Sequence, residues 1–456
     1  MRRALLVHFF VLVFIMETAT FPCAQPIELP KGFPPLREDI DPNSAPVIVP
    51  TNPYLSQKTN FQPIGLTLQS ELLSPEYLSR AESIDFGAYR LVINDIDFQD
   101  LNSPNYLKLS SIIDKLYSTN RDILITLDST FLDPQVYAGT FLQIVKTVGK
   151  KVTYYQLLDT ISKRPGVSLR SYHEALSLVN SIRSQEGMDF KLVLGGISGI
   201  DRPLLDELSS LYILNRVDAI AFNLRLDRNN MELSQNSSRT VAPHSLFEAV
   251  VAFNQLSSLG KEFFVTRLSA SSCFPPPGVS QLDQASMLTR ASLYLLNGGA
   301  TRVFIDSLVD TDSSQLSYQG CTGIVQTDGS PKPAYYAIKN LASILRGKFF
   351  ISPYYVVQMS NDFPAHLDPL YIHHLFSPSD GSIYLFYWTP IMNVYDRYTN
   401  LAIFRKDLTP VSMINLLGGE IAEIPYRRGA NLLVFARLPL SHIPTAIKLK
   451  MEKPGG

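Results

Sequence analysis

The chain has 456 residues, 45% of them hydrophobic and 18% charged, and a formal net charge of −1. That length exceeds one small domain and suits a barrel with an appended module. The composition excludes a disordered chain. The near-neutral balance gives no global attraction to nucleic acid or to an anionic membrane surface.

The first predicted element is a targeting segment. Arg2 and Arg3 precede an apolar run from Ala4 to Met16. A positive start and a short apolar stretch are the form of a secretory signal. The run is short for a membrane span. We assign residues 1–24 as a signal peptide cleaved after Ala19 or Ala24, the alternative being an uncleaved anchor. Thr20-Phe21-Pro22 lacks the small residue expected before a lipidated cysteine, which argues against Cys23 as a lipid site. No second hydrophobic span follows, so the expected destination is the periplasm or the exterior. Residues 25–58 form a predicted Pro-rich leader, with nine prolines between Pro22 and Pro53. Such a stretch cannot be helical.

From residue 59 the pattern alternates. Apolar strand-length runs begin at FQPIGLTL (61–68), GAYRLVIND (87–95), DILITLD (122–128) and VTYYQLLD (152–159). They continue at KLVLGGI (191–197), VDAIAFNLR (217–225), EFFVTRLS (262–269) and TRVFIDSL (301–308). Each precedes a segment with apolar residues at helical spacing, for example LRSYHEALSLVNSIRSQ (169–185) and QLDQASMLTRASLYLLNGG (281–299). Ser74 and Pro75 are predicted to open the first helix. Eight such units over residues 59–348 predict a closed parallel (β/α)8 barrel. GGISGI (195–200) lacks the lysine of a phosphate loop and reads as a strand-to-helix turn. Residues 349–456 change to short strands separated by Asp, Gly, Pro and Asn, an all-β sandwich. Gly418-Gly419 and Gly429-Ala430-Asn431 read as its hairpin turns.

Three phrases carry a resemblance. They are VDAIAFN (217–223), DGSPKPAYYAIKNL (328–341) and INLLGGEIAEIPY (414–426). In order and spacing the chain resembles, over residues 59–450, the retaining glycoside hydrolases that join an eightfold barrel to a C-terminal β-sandwich. That group includes β-xylosidases and α-L-iduronidase. In it the fourth strand ends in a Trp-Asn-Glu-Pro-like run carrying the acid/base, and the seventh in a Thr-Glu-aromatic run carrying the nucleophile. The matching residues here are Leu158, Asp159, Thr160 and Ile161, then Thr266, Arg267 and Leu268. A His-x-Tyr substrate contact on the sixth strand is replaced by Asn223-Leu224-Arg225.

Retaining hydrolysis needs two carboxyl groups about 5–5.5 Å apart, one attacking the anomeric carbon and one protonating the leaving oxygen. Threonine is no general acid near neutral pH, and arginine stays protonated. The resemblance therefore implies a degenerate catalytic pair at Thr160 and Arg267. The only tryptophan, Trp388, falls in the sandwich, so no barrel tryptophan can stack on a sugar.

Other strand ends bear Asp95, Asp128, Asp159, Asp227, Asp306 and Asp310. A relocated pair drawn from Asp128, Asp159 and Asp306 would support an unusual hydrolase; the alternative is turn and capping aspartates. Arg202, Arg225, Arg228 and Arg267 share the predicted rim. Asn223, Arg225 and Arg267 are candidate ligand contacts, the arginines suiting an acidic sugar, unless they pair with the nearby aspartates. Cys273 and Cys321 are a candidate disulfide in an oxidising compartment or two buried thiols. His373 and His374 alternate on a strand and point to opposite faces. There is no HExxH pattern or Cys–His cluster, so no metal or cofactor is expected. Asn236-Ser237-Ser238 would accept a glycan only in a eukaryotic secretory route. The expected protein is an exported, non-catalytic glycosidase relative binding a polysaccharide, or an envelope protein, at the barrel rim. An active hydrolase with relocated carboxylates and a purely structural role are the alternatives.

Overall fold

In the computed structural model the first strand, β1 (Ile64–Gln69), opens a parallel sheet and also receives its last strand. The structure describes residues 62–452 apart from internal segments, the longest being 227–244, 360–369 and 95–103. The signal and leader predictions, Asp95, Asp227, Arg228, Asn236 and the Ser74 cap lie outside the described residues. After β1 come β2 (Ala88–Asn94), β3 (Asp122–Asp128), β4 (Tyr154–Leu157), β5 (Lys191–Val193), β6 (Ile197–Ser198), β7 (Ala219–Leu226), β8 (Glu262–Ala270) and β9 (Arg302–Ile305). All pairings are parallel. β1 pairs with β9, and β5 pairs with β7 through Val193 and Ala219, so the sheet closes into a barrel.

The fifth unit departs from the single strand predicted over 191–197. It is split into β5 and β6 around Gly195-Gly196. A Cβ on Gly196 would meet Asn223 Nδ2 at 2.3 Å and the Asp159 carbonyl at 2.5 Å. Only glycine lets those two groups approach.

Helices α1 (Pro75–Glu82), α2 (Pro104–Ser118), α3 (Pro134–Val148), α4 (Leu169–Gln185), α5 (Arg202–Ser210), α6 (Leu246–Leu256), α7 (Gln281–Asn297) and α8 (Pro333–Leu345) separate the strands. Their starts follow local chemistry. Asp133 and Ser168 cap α3 and α4 by accepting backbone N–H bonds, and Pro134 and Pro333 stand in first turns where no intrahelical N–H is missed.

Inside the barrel the side chains lie in layers. Ala88, Leu124, Tyr154, Val193, Ala219, Phe264 and Phe304 pack together as an apolar plug. At the N-terminal end of the strands, Glu262 accepts from Tyr154 Oη at 3.1 Å and from Lys191 Nζ at 2.7 Å. Two residues further along the strands, toward the C-terminal end, the inward positions turn polar: Arg90, Thr126, Gln156 and Thr266.

The sandwich comprises β10 (Phe349–Ile351), β11 (Val356–Met359), β12 (Tyr371–Ser377), β13 (Ser382–Trp388), β14 (Tyr398–Ile403), β15 (Leu408–Asn415), β16 (Ile421–Ala422), β17 (Tyr426–Arg428), β18 (Leu433–Pro439) and β19 (Thr445–Met451). Its sheets run β10-β12-β13-β19-β15-β16 and β11-β14-β18-β17. The first sheet buries one face against the second and the other against the barrel. On β13, Ile383, Leu385 and Tyr387 enter the sandwich core, while Tyr384, Phe386 and Trp388 join the barrel core. Barrel and sandwich thus share one unit within Pro42–Gly456. Helix α7 is buried on nearly every side as a result. Ser286 Oγ donates to the His442 carbonyl at 2.6 Å, and Asn340 Nδ2 to the Leu416 carbonyl at 2.7 Å, which ties α7 and α8 to the sandwich. Among the described residues no helix is long and apolar enough to cross a membrane.

Candidate functional site

Above the polar layer, the strand ends bring Asp128, Asp159, Arg267 and Asp306 together. Arg90, fully buried, rises from β2 beneath them. Its guanidinium donates to Thr126 Oγ1 at 3.0 Å, to Gln156 Oε1 at 3.1 Å and to the Thr266 carbonyl at 3.3 Å, and it pairs with Asp159. Arg267, from β8, reaches across the same space. Its Nη1 meets Asp159 Oδ2 at 2.9 Å and its Nε meets Asp306 Oδ2 at 2.8 Å. The Asp159 amide donates to Asp128 Oδ1 at 3.0 Å. The result is a continuous chain, Arg90–Asp159–Arg267–Asp306. Asp306, and after it Asp159, holds Arg267 firmly charged and raises its pKa above the ordinary guanidinium value, against the opposing effect of burial.

Arg267 spends two of its nitrogens on aspartates rather than presenting an open fork to a ligand. Asp128, Asp159 and Asp306 are brought together, and the last two are paired with arginine. Asn223 is a framework residue: Nδ2 donates to the Asp159 carbonyl at 3.1 Å and Oδ1 accepts from Thr266 Oγ1 at 2.9 Å. Thr160, next to Asp159, donates to the Gly196 carbonyl at 3.0 Å. Arg225 is exposed near the end of β7. Arg202 lies away from this group, at the start of α5, where it pairs with Glu248 at 2.7 Å. Asp310 joins a buried pair with Lys332 at 2.7 Å. Cys273 and Cys321 are bonded, with Cα atoms 5.4 Å apart. That bond links the loop after β8 to the loop after β9, whose strands carry Arg267 and lead into Asp306.

Sequence reading missed Arg90 and Lys332. The signal for Arg90 was present, as a lone charge in the apolar run AYRLVIN, two residues after inward-facing Ala88. Asp306 shows one further property. Its Oδ1 is buried and has no hydrogen-bond partner among the described residues, so the Arg267 pair is the carboxylate's one polar contact among them and leaves half of it unsatisfied.

Solved structures match this architecture. A family 39 glycoside hydrolase from the gut symbiont Bacteroides cellulosilyticus superposes with a TM-score of 0.63 at 14% identity, over 86% of this chain and 81% of that one. A GH39 enzyme from Xanthomonas axonopodis pv. citri gives 0.54 at 12%, over 86% and 94%. A monomeric β-xylosidase from Caulobacter crescentus gives 0.53 at 10%, over 86% and 96%. No protein-family model matches the chain, and no curated protein sequence does. The protein has a glycosidase-type barrel with a C-terminal β-sandwich. At these identities the likeness is one of fold, and function has to be argued from the site.

Proposed function

We propose that this is an exported, non-hydrolytic relative of the barrel glycosidases that binds a carbohydrate at the C-terminal rim of its barrel. The observation that carries the reading is the engagement of Arg267 with Asp159 and Asp306. A cationic group occupies the position where the resemblance expects a nucleophilic carboxylate, and it opposes the positive charge that develops on a sugar ring during glycoside cleavage. Thr160, at the expected acid/base position, hydrogen-bonds a carbonyl and has no proton to give near neutral pH. The relocated carboxylates fit an alternative hydrolase poorly, because Asp159 and Asp306 are both neutralised by arginine.

Exposed Arg225, beside the partly exposed Arg267 and Asp159 at the strand ends, suits hydroxyl-rich ligands. Three carboxylates face two guanidinium groups here, so strongly anionic polymers are disfavoured relative to neutral ones. The test combines turnover and binding on the purified mature chain. With a panel of aryl glycosides, product release is expected to stay at the uncatalysed rate. On a glycan array spanning neutral, uronic and sulfated polymers, binding is expected to neutral glycans and to fall at least about tenfold in Arg225→Ala, the loss of one charge-assisted contact. Turnover abolished by Asp159→Asn would instead establish the relocated-carboxylate hydrolase. A wholly silent array would favour an envelope protein partner or a structural role.

A further inference from the structure

The seam between barrel and sandwich buries two histidines, one against neutral rings alone and one with a single carboxylate nearby. On β12, His373 faces the barrel side and His374, one residue on, the sandwich core. His373 stacks on Trp388 with ring centroids 4.9 Å apart and meets the edges of Tyr294 on α7 and Phe350 on β10. These rings carry no negative charge, and His373 Nε2 has no hydrogen-bond partner among the described residues. At the same seam His442, also buried, has neither ring nitrogen hydrogen-bonded among the described residues. From α7 it faces Asp283, whose Oδ1 is 3.8 Å from Nε2, and Arg290, which opposes protonation.

We propose that this seam is an acid-sensitive joint: protonating His373 and His442 loosens the sandwich from α7 while the barrel stays folded. A charged imidazolium in an apolar seam must be rehydrated, and opening the seam is the direct route to water. Stacking on Trp388 offsets part of that cost for His373, and Asp283 part of it for His442. Burial lowers His373 from 6.5 to about 4 and also lowers His442, Asp283 opposing. In the sandwich core, burial and then the charge of His373 lower His374 to about 3. A depressed histidine contributes stability that is complete above its unfolded value and lost as pH falls below it. The opened seam therefore takes up protons that the closed seam refuses between pH 6.5 and about 4, and acid drives opening within that window.

The chain carries its own reporter, because Trp388 is its only tryptophan and is fully buried against His373. The experiment is a titration of the full mature chain from pH 7 to 3, read by tryptophan emission and far-ultraviolet circular dichroism together. Emission is expected to quench and shift to the red within that window while the far-ultraviolet signal persists. In His373→Phe/His442→Gln the midpoint is expected to move down by about one pH unit or more, a tenfold change in proton activity. Coincident loss of both signals, or an unmoved midpoint in the variant, would overturn the proposal. If the double variant does not fold, amide exchange on the wild-type chain at pH 5 decides. Protection lost first in α7, β12 and β13 supports an opening joint, and uniform loss across the barrel strands refutes it.

Discussion

Replacing Arg267 by alanine is expected to destabilise the protein by about 3 kcal/mol, more than any other single change at the rim. The cause is what the substitution leaves behind. Asp306 and Asp159 are 6% and 13% exposed, and both point at the Arg267 guanidinium. Without it, Asp306 loses its cation and the two carboxylates face each other with Asp128 close by. Removing one partner of a buried pair typically costs about 3–5 kcal/mol. About a third of the Arg267 side chain reaches solvent, 35%, so water screens part of the loss and the lower end applies. Urea unfolding at neutral pH measures it. The control is a double-mutant cycle with Asp306→Ala. If Arg267 acts through Asp306, the pair together loses less than the two single changes added. Additive losses would show that Arg267 is held by packing alone, and would remove the main support for a neutralised cleft. For the same reason Arg267→Ala is a poor probe of ligand binding, since a loosened rim would lose affinity whether or not Arg267 touches the ligand.

Placing glutamate at position 267 would not by itself create a nucleophile. The new carboxylate would lie beside Asp159 and Asp306, which are now placed to meet a cation, and like charges at that range disfavour ionisation. Arg267, Asp159 and Asp306 therefore act as a set, and a change at one position meets neighbours suited to arginine.

The alternation of units was legible because strand and helix periods differ and because prolines and caps mark several helix starts, as at Asp133-Pro134 and Lys332-Pro333. The break in the fifth strand was less so: Gly195-Gly196 was visible, but the need for it comes from Asn223 and the Asp159 carbonyl, both distant in sequence. The pairing of Arg267 was undecidable for a similar reason. Its partners lie 108 and 39 residues away, and only barrel closure brings the three strand ends together. In the sandwich, SIYLFYW reads as a strand but not as one with a particular inner face, since it is buried on both sides. Period-two alternation reports a face only where the other face is wet. α7 lost its helical stripe in the same way, because barrel and sandwich cover it from opposite sides.

A variant with both Cys273 and Cys321 replaced by serine is expected to lose about 3–4 kcal/mol relative to the oxidised protein. The bond closes a sequence separation of 48, and the chain-entropy treatment assigns a loop of that size on the order of 4 kcal/mol. Its surroundings argue against much compensation. Ser272 N–H donates to the Cys321 carbonyl at 3.0 Å, and Ser272 Oγ accepts from Lys332 Nζ at 2.8 Å. Lys332 also pairs with Asp310, which accepts the Gly323 N–H at 2.9 Å. Burial pushes the Asp310 carboxyl up and the Lys332 ammonium down, each partner opposing the shift of the other. The Lys332–Ser272 hydrogen bond joins this pair to the loop after β8, and the disulfide is the covalent link between the same two loops. The measurement is urea unfolding of the two forms compared at equal m-value. A difference below about 1 kcal/mol would mean that Gln284, which donates to the Ala270 carbonyl at 2.8 Å and the Gly323 carbonyl at 3.1 Å, holds the loops without the bond. A difference near the expected size would make the oxidised bond a condition for the rim that presents Arg267 and Asp306.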